Sequence, residues 1–531
     1  MHRFALLESW TCTGYIRRAA SLLLAPSFLL LVWLVMGALS ACAQTGTKTP
    51  DPCASGREFA TTDCALTWHG ITVYGAYDVG VGWVSHGLPE NGYNYEGESL
   101  VNRNGYQHRF VVAPNNLSQT GLGIRGKEEF LSGWSVVFNA STGINPQSGL
   151  LANAPGTDTI NNGLPRSSYS IAIDGARAGQ PFNDEYYGGV SSTHFGTLTF
   201  GRQRALGTDA MLLYDPAGGA YAFSYIGYNG TMAGGGDTDD SRWDNALKYR
   251  LIYGPVHFGA MYKFADGNGG CYSASATWTG TSCTPESAHN NAYGFDLGGE
   301  YAKKFSADVV FQHYNQAISV LNPLLGPQSP AAPYQSTTDS INTNPISGGV
   351  NLIDTNNTVY GIVTDNNAIM AAAKYTLDSF KVFSGYEYIW QNNPKDPLGV
   401  GATDQGSYIM SGVEDNNLDS EKLVNIWWTG VKYTYRSKTD FTFAWYQQRQ
   451  NDFRLPPACS TSAGFRASCA GTLNEGSLYA NHHFTKRFDG FAGIAYSYVK
   501  GGLAIAIPHG PGVPYFSNNN CAPTVGGRFT F

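Results

Sequence analysis

From Ile71 onward, apolar side chains recur at every second position. Ile71, Val73, Tyr77, Val79, Val81 and Trp83 share one parity; Thr72, Asp78, Gly80 and Gly82 lie on the other. Successive side chains of a strand point to opposite faces, whereas an amphipathic helix would repeat near 3.6, so this segment is predicted to be a β-strand. The alternation returns in Phe380, Val382, Tyr386, Tyr388 and Trp390, then in Phe441, Phe443 and Trp445. It recurs in Ala492, Ile494, Tyr496 and Tyr498, and ends in Val525, Phe529 and Phe531. The interleaved residues are small or polar, so each predicted strand has one oily face and one wet face.

The connections between these strands alternate in length. Short ones include Phe130-Leu131-Ser132-Gly133, Thr193-His194-Phe195-Gly196, Ala302-Lys303-Lys304-Phe305, Leu377-Asp378-Ser379, Ser437-Lys438-Thr439 and Thr485-Lys486-Arg487. Long ones, rich in Gly, Asn, Ser and Pro, cover about 85–117, 144–180, 204–241, 265–290, 318–356, 392–421, 451–472 and 500–523. Tight periplasmic turns, long extracellular loops and alternating strands of about ten residues describe an outer-membrane barrel. Eight long loops then imply an all-β, transmembrane antiparallel β-barrel of about 16 strands. A β-sandwich or propeller also alternates, but it hides its apolar face against another sheet. Aromatic residues toward strand ends, such as Tyr74, Tyr77 and Trp83, suit girdles at the lipid–water interface instead. A sheet in hydrocarbon must also close on itself, or its edge N–H and C=O groups stay unpaired in oil.

Composition agrees with this picture. Charged residues make up 14% of the 531, against roughly 25% in soluble domains. Hydrophobic residues at 42% exclude a disordered chain. A formal charge of −7 argues against nucleic acid as partner, because phosphate binding needs clustered Lys and Arg. Only residues 21–39 reach the length of a membrane-spanning helix, behind Arg17 and Arg18, which excludes a multi-helix membrane protein. Residues 1–43 read as an export signal ending in Ala41-Cys42-Ala43; Leu39-Ser40-Ala41-Cys42 also fits a lipobox in which Cys42 would be acylated. Residues 44–66 form a short periplasmic extension, and 67–531 the barrel.

Export permits disulfides. With Cys12 and Cys42 set aside, six cysteines lie in near pairs, Cys53 with Cys64, Cys271 with Cys283 and Cys459 with Cys469, and Cys521 is left over. Such pairs would staple loops, although spacing alone does not fix connectivity. No spacing is the C-x-x-C of a zinc or redox site, so neither metal nor cofactor is expected.

The residues resemble the trimeric general porins of proteobacteria, particularly the neisserial and burkholderial type. Ile71-Thr72-Val73-Tyr74-Gly75-Ala76-Tyr77-Asp78-Val79-Gly80-Val81 is similar to that family's first strand. Gly121-Leu122-Gly123-Ile124-Arg125-Gly126-Lys127-Glu128-Glu129 with Gly133-Trp134-Ser135-Val136-Val137-Phe138 resembles its second hairpin. Phe195-Gly196-Thr197-Leu198-Thr199-Phe200-Gly201-Arg202-Gln203, Asp244-Asn245-Ala246-Leu247-Lys248-Tyr249 and Gly527-Arg528-Phe529-Thr530-Phe531 match further family segments in order. The loops depart from the family in being longer. The resemblance implies a homotrimer in outer-membrane lipid and lipopolysaccharide, with a lumen open to small hydrophilic solutes and ions. It also implies that the loop after the fifth strand folds into the barrel, and that Phe531 helps the assembly machinery recognise the chain.

Strand parity sorts the charges. Leu122 and Ile124 are expected to face lipid while Arg125 and Lys127 face the lumen, because a lipid-facing cation near the midplane would cost about 2–4 kcal/mol. Lys248 and Arg250 fall on the lumen side, opposite Trp243, Leu247 and Tyr249; Lys374, Lys381, Lys432 and Arg528 obey the same parity. Arg202 is counted with the pore wall. The loop that begins after Gln203 carries Asp209, Asp215, Asp237, Asp239 and Asp240. Carboxylates there facing wall cations would set up a transverse field that sorts solutes by charge, whereas Asp237, Asp239 and Asp240 equally suit a solvated turn.

Two motifs carry little. Gly121-x-Gly123-x-x-Gly126-Lys127 fits a phosphate-binding fingerprint but precedes a turn and a returning strand, not a helix. His482-His483 point to opposite faces of a strand and cannot easily share one ion. Passive diffusion is the leading expectation, followed by a substrate-specific channel on the same barrel, a surface adhesin and an outer-membrane enzyme.

Overall fold

The structure is a computed structural model that describes residues 53–87, 107–144, 181–229, 241–265, 290–321, 358–395, 418–453, 469–501 and 519–531, plus short pieces between them. A helix α1 (Gly56–Thr61) and a short strand β1 (Leu66–Trp68) precede the wall. The first half of the wall is β2 (Ile71–Gly87), β3 (Gln107–Pro114), β4 (Gly121–Leu131), β5 (Trp134–Gly143), β6 (Glu185–Ser192), β7 (Gly196–Arg204), β8 (Arg242–Tyr253) and β9 (Val256–Lys263). Between β7 and β8 lie α2 (Leu206–Tyr214) and α3 (Tyr225–Asn229). A loop hairpin, β10 (Cys271–Tyr272) with β11 (Thr284–Pro285), follows. The wall resumes with β12 (Ala292–Tyr301), β13 (Phe305–Leu321), β14 (Thr358–Leu377) and β15 (Phe380–Asn392). Loop strands β16 (Thr403–Gln405) and β17 (Tyr408–Glu414) extend the rim, β17 lying parallel to the start of β14. The wall ends with β18 (Lys422–Tyr435), β19 (Thr439–Gln450), β20 (Gly471–His483), β21 (Phe488–Gly501) and β22 (Asn519–Thr530).

Each wall strand pairs antiparallel with its neighbour, and β2 pairs with β22 from Ala76↔Thr530 to Gly82↔Thr524, so the sheet closes as a barrel of 16 strands. β3 and β4 share one wall position, β3 lying against the upper half of β2 and β4 against the lower half. The expected loop at 85–117 is therefore shorter than its sequence suggested, because β2 and β3 continue the wall above the membrane belt. Between β3 and β4 the chain bulges inward. Asp78, fully buried, accepts from the backbone N–H groups of Asn116 (3.1 Å), Leu117 (2.7 Å) and Ser118 (3.0 Å) and holds that bulge. Without those donors, a buried carboxylate here would be strongly unfavourable.

The period-two reading holds along the wall. Tyr77, Val81, Phe110, Leu122, Ile124, Leu198, Phe200, Phe443 and Val525 lie exposed on the outer face, where lipid replaces water as their solvent.

At the periplasmic end, β1 continues the line of β22 alongside β2, pairing Leu66↔Val73 through Trp68↔Ile71. Phe531 and Gly75 exchange both backbone hydrogen bonds at 2.9 and 3.0 Å. Only a glycine fits at position 75, since a Cβ would collide with the Phe531 ring and the Gly121 carbonyl. Cys53 and Cys64, one of the three near pairs in the sequence, form a disulfide behind this seam. Residues 1–52, with the export signal and Cys42, lie outside the described residues, as do Cys283 and Cys459. Cys271 sits in the β10–β11 hairpin, Cys469 is disulfide-bonded and Cys521 is free.

The constriction loop as candidate functional site

After Arg204 the chain turns into the barrel instead of over its rim. The reason lies in its apolar side chains: Leu206, Ala210, Met211 and Tyr214 of α2 are buried against inward residues of the wall, with Met261, Val310 and Met370 among their cluster. Those inner-wall apolar residues would be wasted in an open water channel; under the loop they form a core. Polar contacts fix the path. Gly207 N–H donates to Gln312 Oε1 (2.6 Å), Tyr214 Oη–H to Asp308 (2.8 Å), and Trp428 Nε1–H to the Tyr214 carbonyl (3.0 Å). Ser477 Oγ–H donates to the Phe223 carbonyl (2.7 Å), and the Phe223 ring stacks on Tyr479 at 4.4 Å. Ala222 N–H reaches the Asn116 carbonyl (3.1 Å) on the inward bulge. The loop thus follows the inner wall from β8 past β19 and β20 to the bulge between β3 and β4.

The expected acids lie on this loop. Asp209, in the first turn of α2, pairs with Lys248 at 2.6 Å and Arg250 at 2.5 Å. Arg250 also meets Asp296 at 2.5 Å, and His257 lies between Asp296 (3.7 Å) and Asp308 (3.1 Å). Burial by itself would raise the pKa of Asp209, but Lys248 and Arg250 outweigh it and hold the carboxyl below its ordinary value. Asp215 is different. It accepts from Tyr446 Oη–H (2.6 Å) and from the N–H groups of Ala217 (3.1 Å) and Gly219 (2.7 Å), and burial pushes its pKa up despite those bonds.

These contacts alter the expected electrostatics. Asp209 touches Lys248 and Arg250 directly, so these three anchor the loop to the wall rather than facing each other across open water. Asp215 latches the loop turn to Tyr446 and is buried. Arg202 does not line the lumen: although Gly201, at φ +133°, makes β7 irregular against β8, Arg202 keeps the parity of the outward Leu198 and Phe200, opposite the exposed Tyr186, and its guanidinium is 5% exposed on Asp244 (2.8 Å) and the Asn183 carbonyl. A matching irregularity at Asn245, φ 52°, turns Trp243 inward, where it is 1% exposed against Tyr314, contrary to its expected outer position. Arg125 and Lys127 keep the lumen parity: Arg125 is opposite Thr72 and lies 5.1 Å from the Tyr74 ring centroid. Asp237, Asp239 and Asp240 lie outside the described residues.

Among the described residues, one cavity between the loop and the wall has a volume of about 480 Å3. Tyr74, Ser141, Asp184, Arg204, Arg242 and Arg528 line its wall side, and Thr208, Met211, Gly218, Gly219 and Tyr221 its loop side. Asp184 pairs with Arg204 (3.3 Å) and Arg242 (2.8 Å), and Arg528 with Asp489 (2.5 Å). Sequence reasoning missed Asp184, Arg204 and Arg242 because each lies next to a strand end, where parity stops informing. Asp296 was missed as well, although its place between the outward Phe295 and Leu297 is a signal that could have found it.

Sixteen closed antiparallel strands, an apolar outer belt and a loop folded into the lumen define an outer-membrane pore barrel. The chain matches the profile of the Gram-negative porin family over residues 30–502, and it belongs to that family of the outer membrane. An outer membrane porin protein of Bordetella pertussis is 24% identical over 197 residues, which cover 37% of this chain and 43% of that relative, less than half its length. An anion-selective porin from Comamonas acidovorans has the same fold, with a TM-score of 0.51 at 15% identity over 87% of this chain and 99% of its own.

Proposed function

We propose that the barrel is a water-filled channel for passive diffusion of small hydrophilic solutes and ions across the outer membrane. The observation that carries this reading is the loop latched along the inner wall, which narrows the lumen and leaves an opening lined by Arg204, Arg242, Arg528, Asp184 and Tyr74. Solutes move down their gradient, so the chain catalyses no reaction and needs no cofactor. Mixed charge at the opening favours small polar solutes over apolar ones, because only polar solutes find partners there for the water they shed.

The working unit is a homotrimer, in keeping with the resemblance to trimeric porins, with lipid and lipopolysaccharide against the outer belt. Arg125, Lys127, Lys248 and Arg250 supply lumen charge, Asp209 and Asp215 set the loop, and Phe531 serves assembly through its place at the seam. A substrate-specific channel is the second reading, favoured by how closely the loop approaches the wall. Planar-bilayer conductance of the refolded protein tests both. Stepwise, non-saturating ion flux supports diffusion, flux that saturates with one solute supports the specific channel, and silence from a folded barrel refutes the open pore.

A further inference from the structure

Charge pairing divides the lumen into two zones. At the level of the loop the wall cations are tied to carboxylates: Arg204 and Arg242 to Asp184, Lys248 and Arg250 to Asp209. On the periplasmic side of the loop stand Lys374, Lys381 and Lys432, none of which forms an ion pair among the described residues. Lys381 and Lys432 are register partners on β15 and β18, and Lys381 is also opposite Thr376 on β14. Residues directly opposite on neighbouring strands have Cβ atoms about 4.5–5.5 Å apart, and diagonal ones about 7–8 Å apart. Lys374, two residues before Thr376 on the same face, is therefore the diagonal neighbour of Lys381. Like charges directly opposite on a sheet destabilise it, so this arrangement calls for an anion.

The surrounding acids are already engaged. Asp440, within electrostatic reach of Lys432, accepts from Thr434 Oγ1–H (2.7 Å) and faces His483 (3.6 Å). Asp308 takes Tyr214 and His257. Asp215 turns toward Tyr446 and the loop backbone. Glu300, near the turn that follows β12, is the remaining acid within electrostatic reach of Lys374. The Lys374 ammonium lies 5.6 Å from the centroid of the Tyr214 ring, which places it immediately beneath α2.

We infer that Lys374, Lys381 and Lys432 form a binding site for a multiply charged oxyanion of the phosphate kind, just below the constriction on the periplasmic side. Lysine binds such groups as a point charge on a flexible stem, so three stems from adjoining strands converge on one anion without needing fixed geometry. Lys381 is exposed, so the grip of the site weakens as salt screens it.

The inference rests on the channel reading, and the test separates the two. Pyrophosphate is titrated calorimetrically into refolded, heat-modifiable protein at low salt. The wild type should bind it, and the double variant Lys381→Gln/Lys432→Gln should bind about tenfold more weakly or less, since charge-assisted contacts dominate. Lys374→Gln should weaken binding by a smaller factor, and Lys486→Gln, in a turn, should leave it unchanged. In a bilayer, pyrophosphate in one chamber should reduce the potassium chloride current more than in the other. Binding by a protein that carries no current would refute the channel and keep the site. Conductance with no pyrophosphate binding, or with equal binding in the double variant, overturns the site.

Discussion

Asp209 joins the loop to the wall through Lys248 and Arg250, so neutralising it releases Lys248 from its carboxylate, leaves Arg250 on Asp296 alone and loosens α2. Asp209→Asn keeps the shape and should shift the zero-current potential under a salt gradient toward anion permeability; an unchanged potential would mean that the two cations do not face permeating ions. The pH dependence follows from the same pair. A carboxyl whose folded pKa lies below its ordinary 3.8 adds stability that is complete above that value and is lost as pH falls through the lower, folded one. Wild-type selectivity should therefore hold from neutrality down to pH about 4 and move toward anions only below it. Arg125 lies over Tyr74 and forms no ion pair among the described residues, so Arg125→Ala removes lumen charge, and permeability should move toward cations.

At the scale of elements, α1 and β1 clamp the seam where the last strand meets the first. Ser55 caps α1 by accepting from the Glu58 N–H at 3.1 Å. Arg487, over the Phe59 ring at 4.0 Å, donates to the carbonyls of Phe59 and Cys64, while Phe59 meets Phe529 edge-on. The Cys53–Cys64 bond keeps both carbonyls in place. Removing it with Cys53→Ser/Cys64→Ser should cost about 2–4 kcal/mol and lower the heat-modification temperature of the barrel. Conductance at room temperature should not change, because the clamp lies behind the wall and not in the opening.

The strands and their faces were legible because lipid enforces period two: Leu122 and Ile124 could only point one way once Arg125 was in the chain. What periodicity cannot show is a change of phase within a strand. The positive φ at Asn245 shifts the phase within β8, and with it Trp243 changes face, whereas Arg202 keeps the outward parity of Leu198 and Phe200. The pairing of Asp209 with Lys248 and Arg250 was foreseen as opposition, but its distance was not. Contact depends on the course of α2, which is set by buried apolar residues on strands far along the chain, Val310 and Met370 among them.

For the whole molecule, the position of the loop decides between a diffusion pore and a gated one. It is bound along a long arc of the inner wall by apolar burial and by hydrogen bonds from Trp428, Tyr446 and Ser477, and a single broken bond leaves the rest in place. Tyr446→Phe removes the donor to Asp215 and leaves a buried acceptor short of one bond, a loss of about 1–3 kcal/mol that is small beside the remaining contacts. Its conductance should match the wild type, with more frequent brief closures as the turn at Asp215 loosens. Adding Trp428→Phe frees the Tyr214 carbonyl as well, and closures should then lengthen, because adjacent anchors on one segment fail together rather than additively. Single-channel recording of the two variants in one lipid separates the cases. Closures that grow from one variant to the next mean that the loop gates the pore as a unit, whereas identical steady currents in both mean that the apolar core under α2 alone holds the aperture.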